Sequence, residues 1–234
     1  MYNKNKVAVG IVAYNEEEAI GKVVGDFKKQ HSVDKIIVID NNSNDRTNEF
    51  AKKAGAIVVK EEKQGYGNAC QRALKECHNT GADMIILVEG DDSFEARDVN
   101  KLLAYLEDAD MVVGTRTNIA LIREGAKMGT FLRLGNLFIA KLLQLRFWGD
   151  VKLTDVGCTF RAVRRAAYEQ IMNDFSVGSS HFSPEMMIIT LKYRLHVIEI
   201  PINYKRRIGE SKITSSFSRS FKLGMRMIGL IATR

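Results

Sequence analysis

Residues 83–94 read Asp-Met-Ile-Ile-Leu-Val-Glu-Gly-Asp-Asp-Ser-Phe. The first half, residues 84–88, is a short continuous apolar run, the pattern of a strand buried on both faces. Three carboxylates, Glu89, Asp91 and Asp92, follow at once. In an open α/β sheet the carboxyl ends of the strands are where ligands bind. Acids crowded there repel one another unless a cation neutralises them, and hard divalent ions take oxygen ligands. A solvated acidic turn that caps the next helix through Asp92 or Ser93 has the same pattern.

The flanking chain alternates between strand and helix signals. Residues 7–12 form an apolar, β-branched run, followed by Ala13-Tyr14-Asn15-Glu16-Glu17-Glu18. Acids favour the positive end of a helix, so a helix is predicted over 17–30. A second strand over 35–39 ends in Asp40-Asn41-Asn42-Ser43-Asn44-Asp45, residues that make turns and caps, before a helix to about 54. A third strand is expected over 56–60. Gly65-Tyr66-Gly67-Asn68 then opens a helix to about 80. Beyond the acidic stretch come a helix to about 108 and a strand over 111–114. This alternation means βαβ units and a mostly parallel sheet. Right-handed crossovers then gather the strand-to-helix loops along one edge, with Tyr14, Asn15, Glu16, Asp40, Asn41, Glu89, Asp91 and Arg116 on it. That edge carries neither Gly-x-Gly-x-x-Gly nor a Walker loop. A divalent ion held by the acids is the remaining means of neutralising a diphosphate.

Composition narrows the class. A chain of 234 residues suffices for one large α/β domain with a sizeable core, or two small ones. Two prolines and no repeat leave no obvious linker. The net charge of +7 is concentrated toward the end, where residues 205–234 carry many Lys and Arg and one acid. An anionic partner is expected there. Three cysteines without metal-type spacing argue against a disulfide framework, and Cys70 and Cys77 fit a helix core. The four histidines show no ligand spacing. The N-terminus has no signal-peptide core, and no apolar segment reaches membrane-span length, which suits a soluble or peripheral protein.

The motifs taken together resemble one family. Val12-Ala13-Tyr14-Asn15-Glu16, Ile39-Asp40-Asn41-Asn42-Ser43-Asn44-Asp45-Arg46-Thr47 and Glu89-Gly90-Asp91 look like the family 2 glycosyltransferases of GT-A fold. Gly114-Thr115-Arg116, Asp155-Val156-Gly157-Cys158-Thr159-Phe160-Arg161, Glu199-Ile200-Pro201-Ile202-Asn203-Tyr204 and Arg207-Ile208-Gly209-Glu210-Ser211-Lys212 resemble its dolichol-phosphate (polyprenyl-phosphate) sugar synthase branch. The resemblance runs in order over residues 7–212. It implies a Rossmann-like GT-A catalytic domain over 1–212, with 213–234 as an appended basic helix. It also implies transfer of one sugar, with inversion, from GDP-mannose or a UDP-sugar to a polyprenyl or dolichyl phosphate.

By the same resemblance, Ala13, Tyr14 and Glu16 line the base and ribose, and Ile39 and Asp40 bond the base. Glu89-Gly90-Asp91 stands for the family's Asp-x-Asp motif and binds Mg²⁺ or Mn²⁺, with Asp91 the direct ligand and Ser93 completing the shell. Lys212 and Arg207 close over the diphosphate or acceptor phosphate. Glu89 replaces the usual first Asp, Asn41 a common second Asp, and Arg46 a usual Gly. An ionised lipid phosphate needs no general base but does need cationic neighbours, which Arg supplies bidentately; Arg116 is the first choice and Arg133 the second. Arg116 paired with a nearby acid, and Asp155 as a cap or salt-bridge partner, are the plainer alternatives.

Two segments bear on a lipid acceptor. Residues 127–148 are rich in Leu, Phe and Ile, with Lys127, Arg133, Lys141 and Arg146 interspersed. This suits helices lying on a bilayer, or an amphipathic helix packed on the sheet. At the end, Ile213, Phe217, Phe221, Met225 and Ile228 form one apolar stripe, with Arg219, Lys222 and Arg226 opposite. A basic amphipathic helix of this kind reads as a membrane-surface element. The expected location is peripheral, on the cytosolic membrane face, with room for a membrane-anchoring subunit. A second enzyme reading gives the acceptor a hydroxyl and makes Asp155 the base. A non-catalytic scaffold and a nucleic-acid module are the other classes; the chain lacks the aromatic-basic platform of single-strand binders, so no nucleic acid is expected.

Overall fold

The computed structural model describes residues 1–126, 129–149, 151–209 and 217–234. Five strands form where the apolar runs place them: β1 (Val7–Ala13), β2 (Lys35–Asp40), β3 (Ile57–Lys60), β4 (Met84–Glu89) and β5 (Met111–Thr115). Two more follow, β6 (Arg161–Arg164) and β7 (Val197–Pro201). They make one sheet in the order β3-β2-β1-β4-β6-β5-β7, parallel except for β6, which runs against both β4 and β5. The helices are α1 (Ile20–Lys28), α2 (Thr47–Lys53), α3 (Tyr66–Asn79), α4 (Val99–Tyr105), α5 (Thr130–Arg146), α6 (Arg165–Ile171), α7 (Phe182–Lys192) and α8 (Phe217–Thr233).

Both faces of the sheet are covered, which is why its strands are apolar without alternation. On one face Val7, Val9 and Ile11 of β1 pack with residues of α1, α2 and α4. On the other, Ala8 and Val12 join a core built on α3, α5, α6 and α7. Each fully buried aliphatic side chain contributes about 1.5–3 kcal/mol, so burial on both faces fixes the strand positions firmly.

The first helix begins later than its acids suggest, at Ile20. Asn15 adopts a left-handed backbone (φ 53°), and the N–H groups of Asn15, Glu16 and Glu17 donate to Ser43 Oγ, Thr47 Oγ1 and Asp45 Oδ2 at 2.9, 2.8 and 3.1 Å. The left-handed turn at Asn15 and these tethers hold residues 15–17 as loop against the segment after β2, and the helix starts beyond them.

At the chain end α8 packs against α5 and α7. Met227 and Ile231 are buried, with Leu223, Ile228 and Leu230 partly so. The stripe expected from sequence is therefore shifted, since Met225 is 53% exposed. The helix is apolar on more than one face, and the cleft between two helices selects the 223–227–231 row. Ile213 lies outside the described residues, as do the side chains of Phe217, Arg219 and Phe221; Lys222 and Arg226 are exposed. On α5, Leu134, Phe138 and Leu145 are exposed, as is Trp148 just beyond it. Among the described residues no helix is long and apolar enough to cross a membrane.

Candidate active site

Parallel register brings three strand ends level. Ala13 of β1 pairs with Asp40 of β2, and Val12 with Glu89 of β4. The chain passes from β1 to β2 on one side and returns to β4 on the other, so β1 and β4 flank a topological switch point, where open α/β sheets bind ligands. A cavity opens there, lined by Val12, Ala13, Tyr14, Glu16, Asn41, Gln64, Tyr66, Ala69, Glu89, Gly90, Asp91 and Arg207.

The loops after β1 and β2 are laced together by the three amide bonds above and by Asn44 N–H on Asn15 Oδ1 at 2.8 Å. Tyr14 and Glu16 thereby reach the cavity. Ile39 and Asp40, expected against a base, do not line it. Ile39 is core, and Asp40 accepts from Ser43 N–H of its own loop (3.0 Å) and from Asn48 Nδ2 of α2 (3.3 Å). Asn41 stands in the wall instead. Its amide donates to the Glu61 and Lys63 carbonyls at 3.0 and 2.9 Å, and its Oδ1 accepts from Gly65 N–H at 2.8 Å. This clamp seats Gln64 and Tyr66 beside the cavity.

The three acids after β4 face three ways. Asp92, also left-handed (φ 63°), turns aside to Lys22 (2.9 Å) and Lys205 (2.7 Å). Glu89 lines the cavity but accepts from Thr159 Oγ1 at 2.6 Å, at the end of a hydroxyl chain through Tyr66 and Ser183. Burial first, and then the neighbouring Asp91 charge, raise the Glu89 carboxyl above its usual range. Asp91 is anchored through Oδ1, which accepts from Ser93 N–H (3.0 Å) and Ser93 Oγ (2.6 Å). Its Oδ2 faces Arg207 Nη1 at 3.2 Å. Ser93, expected in a metal shell, thus has its hydroxyl proton directed to Asp91.

Arg116 and Asp155 pair with each other outside the cavity lining. Nε and Nη2 of Arg116 donate to Oδ2 and Oδ1 at 2.7 and 3.0 Å, leaving Nη1 outside the fork. The plainer reading of Arg116, a salt bridge, is what the fold contains. Asp155 Oδ1 also accepts from Gly157 N–H at 3.0 Å. Burial pushes its carboxyl up, but the Arg116 charge and these bonds outweigh that and hold it below the ordinary carboxylate range. Glu199 supports the pair from β7 by accepting from the N–H groups of Thr154 and Asp155, each at 2.9 Å. Arg133 sits in the first turns of α5 and does not line the cavity. Lys212 lies outside the described residues.

Residues 8–172 match the family described as Glycosyl transferase family 2. The chain belongs to that family. It is 32% identical over 214 residues to a dolichyl-phosphate hexose transferase of Haloferax volcanii, covering 91% of this chain and 88% of that one. It is 28% identical over 215 residues to a UDP-N-acetylglucosamine–dolichyl-phosphate N-acetylglucosaminyltransferase of Methanococcus voltae, covering 82% of each. Among solved structures, glucosyl-3-phosphoglycerate synthase from Mycobacterium tuberculosis, in complex with Mn²⁺, UDP and phosphoglyceric acid, superposes with a TM-score of 0.75 at 18% identity, covering 98% of this chain and 78% of that one. The fold is the GT-A fold.

In this family 2 glycosyltransferase the residues that sequence reasoning missed are mostly those reaching the site from far along the chain. Thr159 meets Glu89 from seventy positions away, and no local pattern announces that. Gln64 and Tyr66 were recoverable, because Gly65-Tyr66-Gly67 marks a tight loop on the same sheet edge. Lys22 sits on α1 at ordinary helical spacing and carries no signal for its bond to Asp92.

Proposed function

We propose that this glycosyltransferase moves one sugar, with inversion, from GDP-mannose or a UDP-sugar to a polyprenyl or dolichyl phosphate, assisted by Mg²⁺ or Mn²⁺. The observation that carries the reading is the strand-end cavity lined by Glu16, Glu89 and Asp91, with a cationic partner already on Asp91. The names of the two archaeal relatives support the acceptor class.

The residues fit a divalent ion of a particular kind. Among the described residues no group of three or more His, Cys, Asp or Glu gathers to hold a metal. Asp91 offers one oriented carboxylate oxygen, now facing a guanidinium that stands in for a cation, with Glu89 beside it. Mg²⁺-type ions are commonly held by one or two carboxylates together with substrate phosphates. The bound ion would neutralise the departing nucleoside diphosphate as a Lewis acid. Ala13, Tyr14, Glu16, Asn41 and Gly90 would hold the nucleotide sugar, and Ser93, by fixing Asp91 Oδ1, would leave Oδ2 for the ion.

The acceptor assignment rests on Asp155. With both oxygens engaged and its pKa depressed, it is a poor general base, so a hydroxyl acceptor finds no proton sink there. A lipid phosphate is already ionised and needs only positioning. Nη1 of Arg116 is outside the Asp155 fork and suits that task, with Arg133 as a second contact. The exposed apolar residues of α5, beside exposed Lys141, Arg146, Lys222 and Arg226, suit a peripheral seat on the cytosolic face of an anionic membrane.

The test is transfer of label from radioactive GDP- and UDP-sugars to a short-chain polyprenyl phosphate, with Mn²⁺ or with EDTA. Label should enter the lipid phase only with metal, and Asp91→Ala should reduce it at least about a hundredfold, since metal stabilisation is worth several kcal/mol. Turnover onto soluble alcohols, with no lipid product, would overturn the acceptor class.

A further inference from the structure

Arg207 spans two acids at the cavity. Its Nη2 lies 2.8 Å from Glu16 Oε1 and its Nη1 3.2 Å from Asp91 Oδ2. All three side chains are largely shielded, at 18%, 12% and 5% exposure. A guanidinium keeps its charge at any ordinary pH, so pH does not release this bridge; a competing cation or a competing anion can. The seat is also incomplete. Nε of Arg207 is buried and finds no acceptor among the described residues, and an unmet buried donor costs free energy.

The backbone around it is pinned. Ile208 N–H donates to the Asp91 carbonyl and Lys205 N–H to the Ser93 carbonyl, both at 2.9 Å, while Lys205 Nζ holds Asp92. Any exchange of partners at Arg207 is therefore a side-chain movement on a fixed anchor.

We infer that Arg207 is a built-in stand-in for the divalent cation, and that its displacement couples filling of the donor site to delivery of a positive charge onto a phosphate. While the site is empty it neutralises Glu16 and Asp91. A divalent ion on Asp91 cannot share Oδ2 with a guanidinium without two like charges in contact, so the side chain gives way. A diphosphate or acceptor phosphate then offers the bidentate anionic partner that Arg prefers. Metal alone consequently binds weakly, and metal with nucleotide binds well. This inference rests on the metal-assisted reading above and adds an order of binding to it.

The experiment is Mn²⁺ titration followed by electron paramagnetic resonance, without nucleotide and with GDP or UDP. It is run on the wild type, Arg207→Gln, Arg207→Lys and Asp91→Asn, each first checked for folding by thermal unfolding. Arg207→Gln should bind Mn²⁺ alone about tenfold more tightly than wild type, a shift of about 1.4 kcal/mol, and gain less from added nucleotide. Arg207→Lys should fall between the two, and reports the effect if the Gln variant does not fold. Asp91→Asn should lose the site. Wild-type Mn²⁺ binding that neither Arg207 variant tightens would sink the stand-in role and leave the metal reading intact. Absence of Mn²⁺ binding to wild type, with both nucleotides present, would remove the metal reading and this inference with it.

Discussion

Asp155 and Arg116 are both largely hidden, at 0% and 16% side-chain exposure, and among the described residues neither forms a second ion pair. Removing one partner strands the other in a low-dielectric setting, which typically costs about 3–5 kcal/mol. Asp155→Asn should therefore lower unfolding stability by that amount in urea titrations at pH 7. Because the folded carboxyl is held below its usual pKa, its contribution is fully present above the unfolded value of about 4 and is lost as pH falls through the folded value. The gap between wild type and variant should stay constant from about pH 7 to 5 and close below about pH 4. Residue type alone suggested phosphate binding for Arg116, and the plain salt bridge was an open alternative. Only the return of residues 154–157 to the end of β5 decides who its first partner is. Arg207 shows the same limit: its charge was legible, but its seat between Glu16 and Asp91 depends on a loop more than a hundred positions away.

At the level of elements, α3 begins under a tight constraint. A Cβ on Gly67 would run into the backbone at Val177, Gly178 and Ser179, and Gly65 has φ +144°, a conformation L side chains rarely adopt. The 176–177 segment cannot retreat, since Glu185 of α7 accepts from Ser176 and Val177 N–H at 3.0 and 2.9 Å and is ion-paired with Arg234 beyond α8. Gly67→Ala should thus lose about 1–3 kcal/mol and weaken nucleotide binding in calorimetric titration, because Gln64 and Tyr66 move with the loop. Gly21→Ala on α1, where an added Cβ meets nothing, should gain up to about 1 kcal/mol from helix propensity. The strands β1 to β5 were legible because each is a short apolar or β-branched run closed by polar turn residues. β6 was not, as Arg161-Ala-Val-Arg164 begins and ends on a charge. Yet it occupies the middle of the sheet, with Arg161 1% exposed and donating to the Ser183 and Cys158 carbonyls.

For the whole molecule, exposed charge and exposed apolar surface occur together on the packed α5 and α8 pair. Leu134, Phe138, Leu145 and Trp148 stand out with Lys141 and Arg146 among them, and α8 packs alongside with exposed Lys222, Met225 and Arg226. Apolar burial and attraction to anionic lipid add in such a surface. Replacing Phe138 and Leu145 together by Asp should lower co-sedimentation with anionic vesicles about tenfold or more, while hydrolysis of the donor in the absence of membrane stays near wild type. Equal sedimentation of variant and wild type would remove this face from the membrane.

The antiparallel β6 has a consequence for how the chain acquires its shape. β4 and β5 are consecutive in sequence but not neighbours in the sheet; β6 lies between them. A chain emerging N-terminus first can assemble β3-β2-β1-β4, and with them the strand ends beneath the cavity, from its first ninety or so residues. β4 must then wait with a bare edge, and β5 with no strand to pair, until residues 161–164 arrive. Long-range closures of this sort are slow, and an unpaired edge invites wrong partners. Birth order thus divides the sheet: a half with the cavity's strand ends that is ready early, and a second half locked in by a late strand.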